Sequence, residues 1–507
     1  MAARLEVGGV GEAGWRGLPS FATGPVAAVA GTVVALLVAV SWRYGYHRDE
    51  LYYLQQSAHP AWGSVDSGPL VVGLARLADA CCQGALPVLR LPSALAGGGT
   101  VVLTALMARE LGGGRFAQWF AGLCIAVSGV LLVSGHLLST TPFDVLAWTA
   151  VLLLVLRLLR TGDTRLWLAV GVVVGAALLN KNTVLFLLFG MGVGLLATPQ
   201  RRLLASPWLV AGAVVAAAMW APALAWHAGH RWAMFEMSRN LREEHSGIGV
   251  GIAFFPLQVL IMNVVTAPVW LAGLVRLWRD PERAPYRAVV IAFAVLALTF
   301  AIVIGDRPYF LAPMYTALLA AGAVAFEWRL TEGHALLSRR TAVVVLLVGG
   351  LISLPVGLPL LPASALATVP LQSLNYDLGE QIGWPELDRT VVAAYRSLGR
   401  SDAVVVGSNY GQAGAVYHFG PPGIAEQTYS RQNTDWWYGP PPEGAGAAVL
   451  IGFRQELVGR FWTECNLYNR VHNAAGVDND EDGTPVWTCS GQRAPWSAIW
   501  PQLRAYG

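Results

Sequence analysis

Charged residues are scarce in this sequence, making up 13% of 507 residues against 55% hydrophobic. A soluble domain normally carries about 25% charged residues. The deficit excludes a wholly water-exposed fold and makes lipid the solvent for much of the chain. Lysine is scarcer still: Lys181 is the sole lysine among 34 basic residues. The Ala/Gly/Val/Arg bias points to a GC-rich coding background that avoids lysine codons, so a retained lysine is informative. Cysteine is also sparse. Cys81, Cys82 and Cys124 lie in the apolar part and show no metal-ligand spacing. Cys465 and Cys489 lie in the polar C-terminal part and could pair if that part is oxidised. The net charge of +3 is small and its basic residues are dispersed in short clusters, so nucleic acid is not an expected partner. No cleavable signal is evident. The first apolar run, Gly24 to Trp42, ends in bulky aromatic and charged residues and reads as a retained helix.

A spanning helix needs roughly 20 apolar residues. The pattern predicts eleven spans, at 24–43, 87–108, 116–134, 143–160, 166–180, 183–198, 208–226, 254–275, 288–305, 308–327 and 341–361. The pair 166–180 and 183–198 is short. Merging it would reverse the side of everything downstream. Arginine placement keeps the two apart. With the N-terminus (Arg4, Arg16) cytoplasmic, five groups fall inside: Arg109 with Arg115; Arg157, Arg160 and Arg165; Arg201 with Arg202; Arg276, Arg279, Arg283 and Arg287; Arg329, Arg339 and Arg340. The opposite loops hold Asp49, Glu50, Asp66, Asp79, Asp144, Glu236, Glu243 and Glu244, with Arg231, Arg239 and Arg242 as exceptions. The two short helices are expected to tilt or dip, recessing the Asn180–Thr183 turn.

After about residue 362, Pro, Asn, Gln, Asp and Tyr rise and no run can span. Ala403–Gly407 and Ala447–Phe453 read as buried strands and Val391–Leu398 as helix. Segment 69–86, carrying Arg76 and Asp79, reads as an amphipathic helix on the outer surface. The expectation is an α-helical polytopic membrane protein: a membrane domain over 1–361 and a soluble α/β domain over 362–507. It sits in the cytoplasmic membrane with its site and C-terminal domain extracytoplasmic. No internal repeat is visible.

Chemistry-bearing residues collect at the outer helix ends. The first outer loop, Tyr44-Gly-Tyr-His-Arg-Asp-Glu-Leu-Tyr-Tyr53, sets Asp49 and Glu50 beside His47 and Arg48. Adjacent helical residues diverge by about 100°. One carboxylate can therefore face a cavity while the other caps or pairs. Nearby tyrosines and Trp62 suit a sugar, although such rings also form the ordinary interfacial belt. Asp66 sits in a Gly/Pro-punctuated turn and either joins this group or makes an Asx-turn. Asp144, in Thr140-Thr-Pro-Phe-Asp, opens a helix, where dipole capping is the competing reading. Lys181 suits a phosphate oxygen; snorkelling is its alternative. Arg307, in Gly305-Asp-Arg-Pro-Tyr-Phe310, is a second phosphate ligand or a partner of Asp306. Tyr315 follows one to two turns on. A lipid-linked phosphate donor and a hydroxyl acceptor require this mixture: the cations neutralise phosphate and a carboxylate takes the acceptor proton. The carboxylates would also accept a divalent cation, but no compact ligand set is apparent.

In these stretches the sequence resembles the bacterial GT-C glycosyltransferases, relatives of the protein O-mannosyltransferases and the lipid A aminoarabinose transferase. The resemblance is carried by Arg48-Asp-Glu-Leu-Tyr-Tyr53, Trp62-Gly-Ser-Val-Asp66, Phe143-Asp144, Leu178-Leu-Asn-Lys181 and Arg307-Pro-Tyr-Phe-Leu-Ala-Pro-Met-Tyr315. Asn409-Tyr-Gly-Gln-Ala-Gly414 and Trp436-Trp437-Tyr438-Gly439-Pro440 resemble the tail domain of an actinobacterial-type branch. The resemblance implies a GT-C fold, a polyprenyl-phosphate-linked sugar donor and inverting transfer to a glycan, lipid or protein acceptor. It implies Asp49 as general base, with Glu50 supporting it or contacting substrate. Arg48, Tyr52, Asp66, Asp144, Tyr309 and Tyr315 would orient substrate, and Lys181 and Arg307 would lie near the lipid phosphate. Two departures stand out. Many relatives carry a double proline where this chain has Ser67-Gly68-Pro69, which implies a more flexible turn. The aminoarabinose transferase's Arg three residues past its catalytic Asp, and its Glu-Lys pair, are here Tyr52 and Val65-Asp66, so that enzyme's substrates do not transfer. Two rival classes remain. A transporter or flippase of lipid-linked sugars would show repeats and mid-membrane breaks. A non-catalytic relative would only bind the lipid-linked sugar, and the intact Asp-Glu pair argues against it.

Overall fold

The computed structural model describes residues 17–245, 248–303 and 307–507. Arg4, Arg16 and Asp306, and the side chain of Glu244, lie outside the described residues. The helices run in order α1 (Thr23–Val40), α2 (Arg48–Ser57), α3 (Pro69–Cys82), α4 (Leu86–Glu110), α5 (Arg115–Ala126), α6 (Gly129–Gly135), α7 (Thr140–Thr161) and α8 (Leu166–Leu178). They continue as α9 (Val184–Leu196), α10 (Pro207–Gly229), α11 (Ala233–His245), α12 (Ile248–Ile261), α13 (Ala267–Arg279), α14 (Arg287–Val303), α15 (Tyr315–Thr331) and α16 (Arg339–Gly357).

Each apolar run expected to span is largely helical over its described residues, but not all reach spanning length. Among the described residues seven stretches are long and apolar enough to cross a membrane, and nine if two bent pairs each count once. The pairs are α5 with α6, bent by 62°, and Gly251–Ile261 with Val264–Arg279, bent by 86°. The expected spans 166–180 and 183–198 are α8 and α9, 13 residues each. At 1.5 Å per residue each is about 20 Å long, short of a hydrocarbon layer of about 30 Å. The chain is a multi-pass membrane protein. Its most buried span among the described residues is Pro308–Thr331, which ends in α15 and has 89% of its apolar window buried. Small residues explain that depth. A Cβ on Gly322 would lie 1.9 Å from the Val269 carbonyl oxygen, and one on Gly273 would lie 2.0 Å from that of Leu318. Helices α13 and α15 therefore meet backbone to backbone, as small residues permit in lipid.

Beyond the bundle, 3₁₀ turns over Ala363–Gln381 lead into α17 (Trp384–Ser397), β1 (Ala403–Gly407), α18 (Tyr410–Phe419), α19 (Pro422–Ala425), β2 (Thr428–Ser430) and β3 (Ala447–Ile451). Then come α20 (Gln455–Phe461), β4 (Trp462–Arg470), β5 (Pro485–Gln492) and α21 (Trp496–Leu503). The sheet order is β2-β1-β3-β5-β4. β1 pairs in parallel with both β2 and β3, while β5 runs antiparallel to β3 and β4. β1 and β3 are buried throughout, which their unbroken apolar runs foreshadow; β3 stops at Ile451, short of the expected Phe453. β4 and β5 escape sequence reading because β4 is polar and largely exposed. The disulfide Cys465–Cys489 joins them at directly paired positions.

Helix α2 is the joint between the two regions. Leu51 packs into the sheet region's core with Trp384, Leu387 and Val416. Tyr52, Tyr53 and Leu54 pack the other way, against α3 and α4.

Candidate active site

The two adjacent carboxylates part ways as helical geometry dictates. His47 caps α2 and its backbone N–H donates to Glu50 Oε2 at 2.8 Å. Glu50 is fully buried and meets Arg90 of α4 in a two-pronged pair, Nε to Oε1 at 2.8 Å and Nη2 to Oε2 at 2.7 Å. The Leu138 N–H adds a further bond to Oε1 at 2.9 Å. Arg90 also donates to the carbonyls of Ser41 and Gly45. Burial opposes ionisation of Glu50, but Arg90 overcomes it and holds the carboxyl below its usual range. Glu50 is thus occupied as an anchor and is closed to substrate. Asp49, one position earlier, has a side chain 32% exposed. Its Oδ1 accepts from the Tyr410 hydroxyl at 3.0 Å.

Asp66 is tied into the same place by the chain's second half. Its Oδ1 accepts from Tyr52 at 3.1 Å and Ser64 at 3.2 Å, and its Oδ2 from Asn433 Nδ2 at 3.0 Å. Asn433 holds φ of 50°, the left-handed region that asparagine tolerates better than most residues. Burial, and then Asp49, push the Asp66 carboxyl up to about 6 against those hydrogen bonds. Asp435, almost wholly buried close by, has no hydrogen-bond partner on either oxygen among the described residues. Burial and then Asp66 raise it well above the carboxylate range. A carboxyl raised on folding is protonated in the folded chain at a pH where the unfolded chain has lost its proton. Its contribution is therefore full at low pH and declines as pH rises from about 4 through about 6. The melting-temperature advantage of the parent over Asp66→Asn is expected to be larger at pH 4.5 than at pH 7.5 in thermal scans of purified protein.

The Asp66 turn docks on the Lys181 turn. Gly68 N–H donates to the Asn180 carbonyl at 2.9 Å, and Leu70 N–H to that of Leu179 at 3.0 Å. A Cβ at Gly68 would lie 2.1 Å from the Leu179 oxygen. The turn expected to be flexible without a double proline is instead pinned, and the glycine is what permits the contact. The Lys181 turn is held in turn by α7. Asn180 Nδ2 donates to the Thr140 carbonyl at 2.8 Å, and Thr183 donates to Asp144 Oδ1 at 2.7 Å. Asp144 therefore braces this turn, and Ser139 supplies the α7 cap in its place. Lys181 Nζ lies over the ring of Phe310 at 4.8 Å and of Tyr309 at 5.8 Å. No carboxylate of the described residues is within ion-pair distance of it.

Part of this arrangement lines a cavity of about 640 Å³. Asp66, Lys181 and Arg307 line its polar part, and Leu185, Phe186, Phe189 and Trp220 its apolar part. Helix α11 closes one side through Phe235 and Leu241. Asp49 does not line the cavity but connects to Asp66 through Tyr410 and Tyr52, whose rings are 4.4 Å apart. Tyr315 and Arg48, both expected at the substrate, do not line the cavity either, although Arg48 Nε stays 4.0 Å from Asp49 Oδ1. Tyr315 is buried in the bundle core between Trp270 and Phe293, at 5.2 and 5.3 Å, because it faces α13 and α14. Arg48 turns toward the sheet region, with Nη1 3.4 Å from Glu380 and 3.6 Å from Asp480 and its guanidinium over Tyr376. Sequence reasoning missed Arg90, Tyr410 and Asn433. An arginine inside an apolar run is itself a signal, and Tyr410 lies in a motif already noticed; Asn433 carries no local signal. Among the described residues no group of three or more His, Cys, Asp and Glu is placed to hold a metal ion.

The fold matches solved structures. ArnT from Cupriavidus metallidurans bound to undecaprenyl phosphate superposes with a TM-score of 0.61 at 14% identity, covering 95% of this chain and 99% of that one. The same protein in the apo state gives 0.59 at 14% identity, with the same coverage. The chain has the GT-C fold. Residues 66–226, about a third of the chain, match the family described as dolichyl-phosphate-mannose-protein mannosyltransferase. No curated protein gives a significant match.

Proposed function

We propose that this chain is an inverting glycosyltransferase that moves a sugar from a polyprenyl monophosphate to an acceptor hydroxyl on the outer face of the cytoplasmic membrane. The observation that carries the reading is the cavity, with Lys181 and Arg307 at its polar part and a hydrophobic wall beyond. That is the shape and charge of a phosphate on a long apolar tail. The ArnT structure was solved with undecaprenyl phosphate, a ligand of this kind. In the proposed reaction the cations offset the charge left on the lipid phosphate as the glycosidic bond breaks. Asp49 takes the acceptor proton. Asp66, Asp144, Tyr52 and Tyr309 shape the surroundings, and Glu50 serves only as the anchor of α2. The membrane domain would span residues 1–361, with 362–507 as an outer domain. The arginine bias supports this orientation, and so does a disulfide in the sheet region, since disulfides persist in oxidising compartments.

The reading is tested by incubating purified protein with undecaprenyl-phosphate sugars, mannose among them, and cell-envelope extract as acceptor source. Release of undecaprenyl phosphate dependent on extract supports it; no release with any donor contradicts it. A charged hydrogen bond is worth about 1.5–3 kcal/mol, so Lys181→Met is expected to weaken undecaprenyl phosphate binding by about 10- to 100-fold. Binding of the uncharged alcohol undecaprenol should be unaffected. Titration by tryptophan fluorescence in detergent checks both.

A further inference from the structure

We propose that Tyr410, carried by the sheet region, is a positioning residue for Asp49. Its phenol donates to one carboxylate oxygen and leaves the other to take the acceptor proton. This inference rests on the reading of Asp49 as the base.

The placement of Tyr410 is determined from several sides. Helix α18 lies directly on α2, and two glycines make that possible. A Cβ on Gly414 would be 2.8 Å from the Leu51 carbonyl, and one on Gly411 would be 3.0 Å from Arg48 Cβ and 2.8 Å from the Trp384 ring. Larger side chains at either position would lift α18 and draw the phenol off Asp49. The start of α18 is locked by a reciprocal cap: Asn409 Oδ1 accepts from the Gln412 N–H at 2.8 Å, and Gln412 Oε1 accepts from the Asn409 N–H at 3.3 Å. Glu481 then holds both side chains, accepting from Asn409 Nδ2 at 2.8 Å and Gln412 Nε2 at 2.9 Å. The Tyr410 N–H donates to Gln432 Oε1 at 3.1 Å. Its ring rests on Tyr52, which holds Asp66. A residue fixed by this many independent contacts, with its hydroxyl on a half-open carboxylate, is built for that contact. Burial and then Asp49 also keep the phenol protonated, as a donor must be. The sheet region is thus a part of the catalytic unit and not only a cover over it.

The test is Tyr410→Phe in the full chain, which keeps the ring and removes only the hydroxyl. Turnover with an undecaprenyl-phosphate sugar is expected to fall about 10- to 100-fold in kcat, the scale of one hydrogen bond to a charged group. The donor KM should stay within about twofold and the melting temperature should be unchanged. An unchanged kcat would overturn the proposal. So would a loss of kcat that merely tracks a lowered melting temperature, since that is a structural role. If the parent itself shows no turnover with any donor, the glycosyltransferase reading fails first and this inference falls with it. A working parent matched by Tyr410→Phe defeats the positioning role alone.

Discussion

Asparagine at position 49 is expected to lower turnover by about 10²- to 10⁴-fold, the range for loss of a positioned general base. Asp49→Asn is nearly isosteric and can still accept the Tyr410 hydroxyl on its amide oxygen, so the junction between α2 and α18 should survive. Undecaprenyl phosphate affinity should hold within about twofold, since the binding cations lie on other turns. Steady-state kinetics and lipid titration on the same preparation check both halves. Asp66→Asn is the informative companion, because Asp66 lines the cavity directly. Its loss should cost less, as it orients the site without taking the proton. A variant pair in which Asp66→Asn is dead and Asp49→Asn is active would transfer the base role to Asp66.

Arg90→Met should be the most damaging change to stability. It strips the partner from a carboxylate that is fully buried. Breaking such a pair from one side costs about 3–5 kcal/mol, because the surviving charge stays buried without compensation. The carbonyls of Ser41 and Gly45 lose their donor as well, so the entry into α2 loosens together with its anchor. The expected outcome is a large fall in melting temperature or failure to accumulate in membranes. The double variant Glu50→Gln with Arg90→Met should recover part of it, since removing both charges avoids the stranded one. A single variant that melts with the parent would show that the pair does not hold the loop. The adjacent acids Asp49 and Glu50 are thus expected to fail in opposite ways, one in rate and the other in fold.

Much of this arrangement is legible in the sequence, and the gaps have physical causes. Apolar runs locate the bundle helices because lipid rewards hydrophobicity directly. They do not report length across the layer, so α8 and α9 read as spans although each has 13 residues. The alternation of roles at Asp49 and Glu50 follows from helical geometry, but which acid faces in depends on Arg90, forty positions away. Lys181 stands out by composition alone, and the structure brings it to the cavity beside Asp66. Tyr315 shows the limit of position-by-position reading: it sits near Tyr309 in sequence, yet the turn of α15 buries it in the core. Tyr410 and Asn433 reach the acidic loop only through the tertiary fold, across separations of 361 and 367 residues. No local pattern encodes contacts of that range.

The proposed chemistry is met most directly by following the anomeric carbon through a single turnover. Purified protein would be mixed with an undecaprenyl-phosphate sugar and envelope extract, and the product's anomeric configuration read by NMR. Direct displacement by an acceptor activated at Asp49 requires a product of inverted configuration, together with release of undecaprenyl phosphate, and neither in Asp49→Asn. A product of retained configuration, or full turnover in Asp49→Asn, would contradict it.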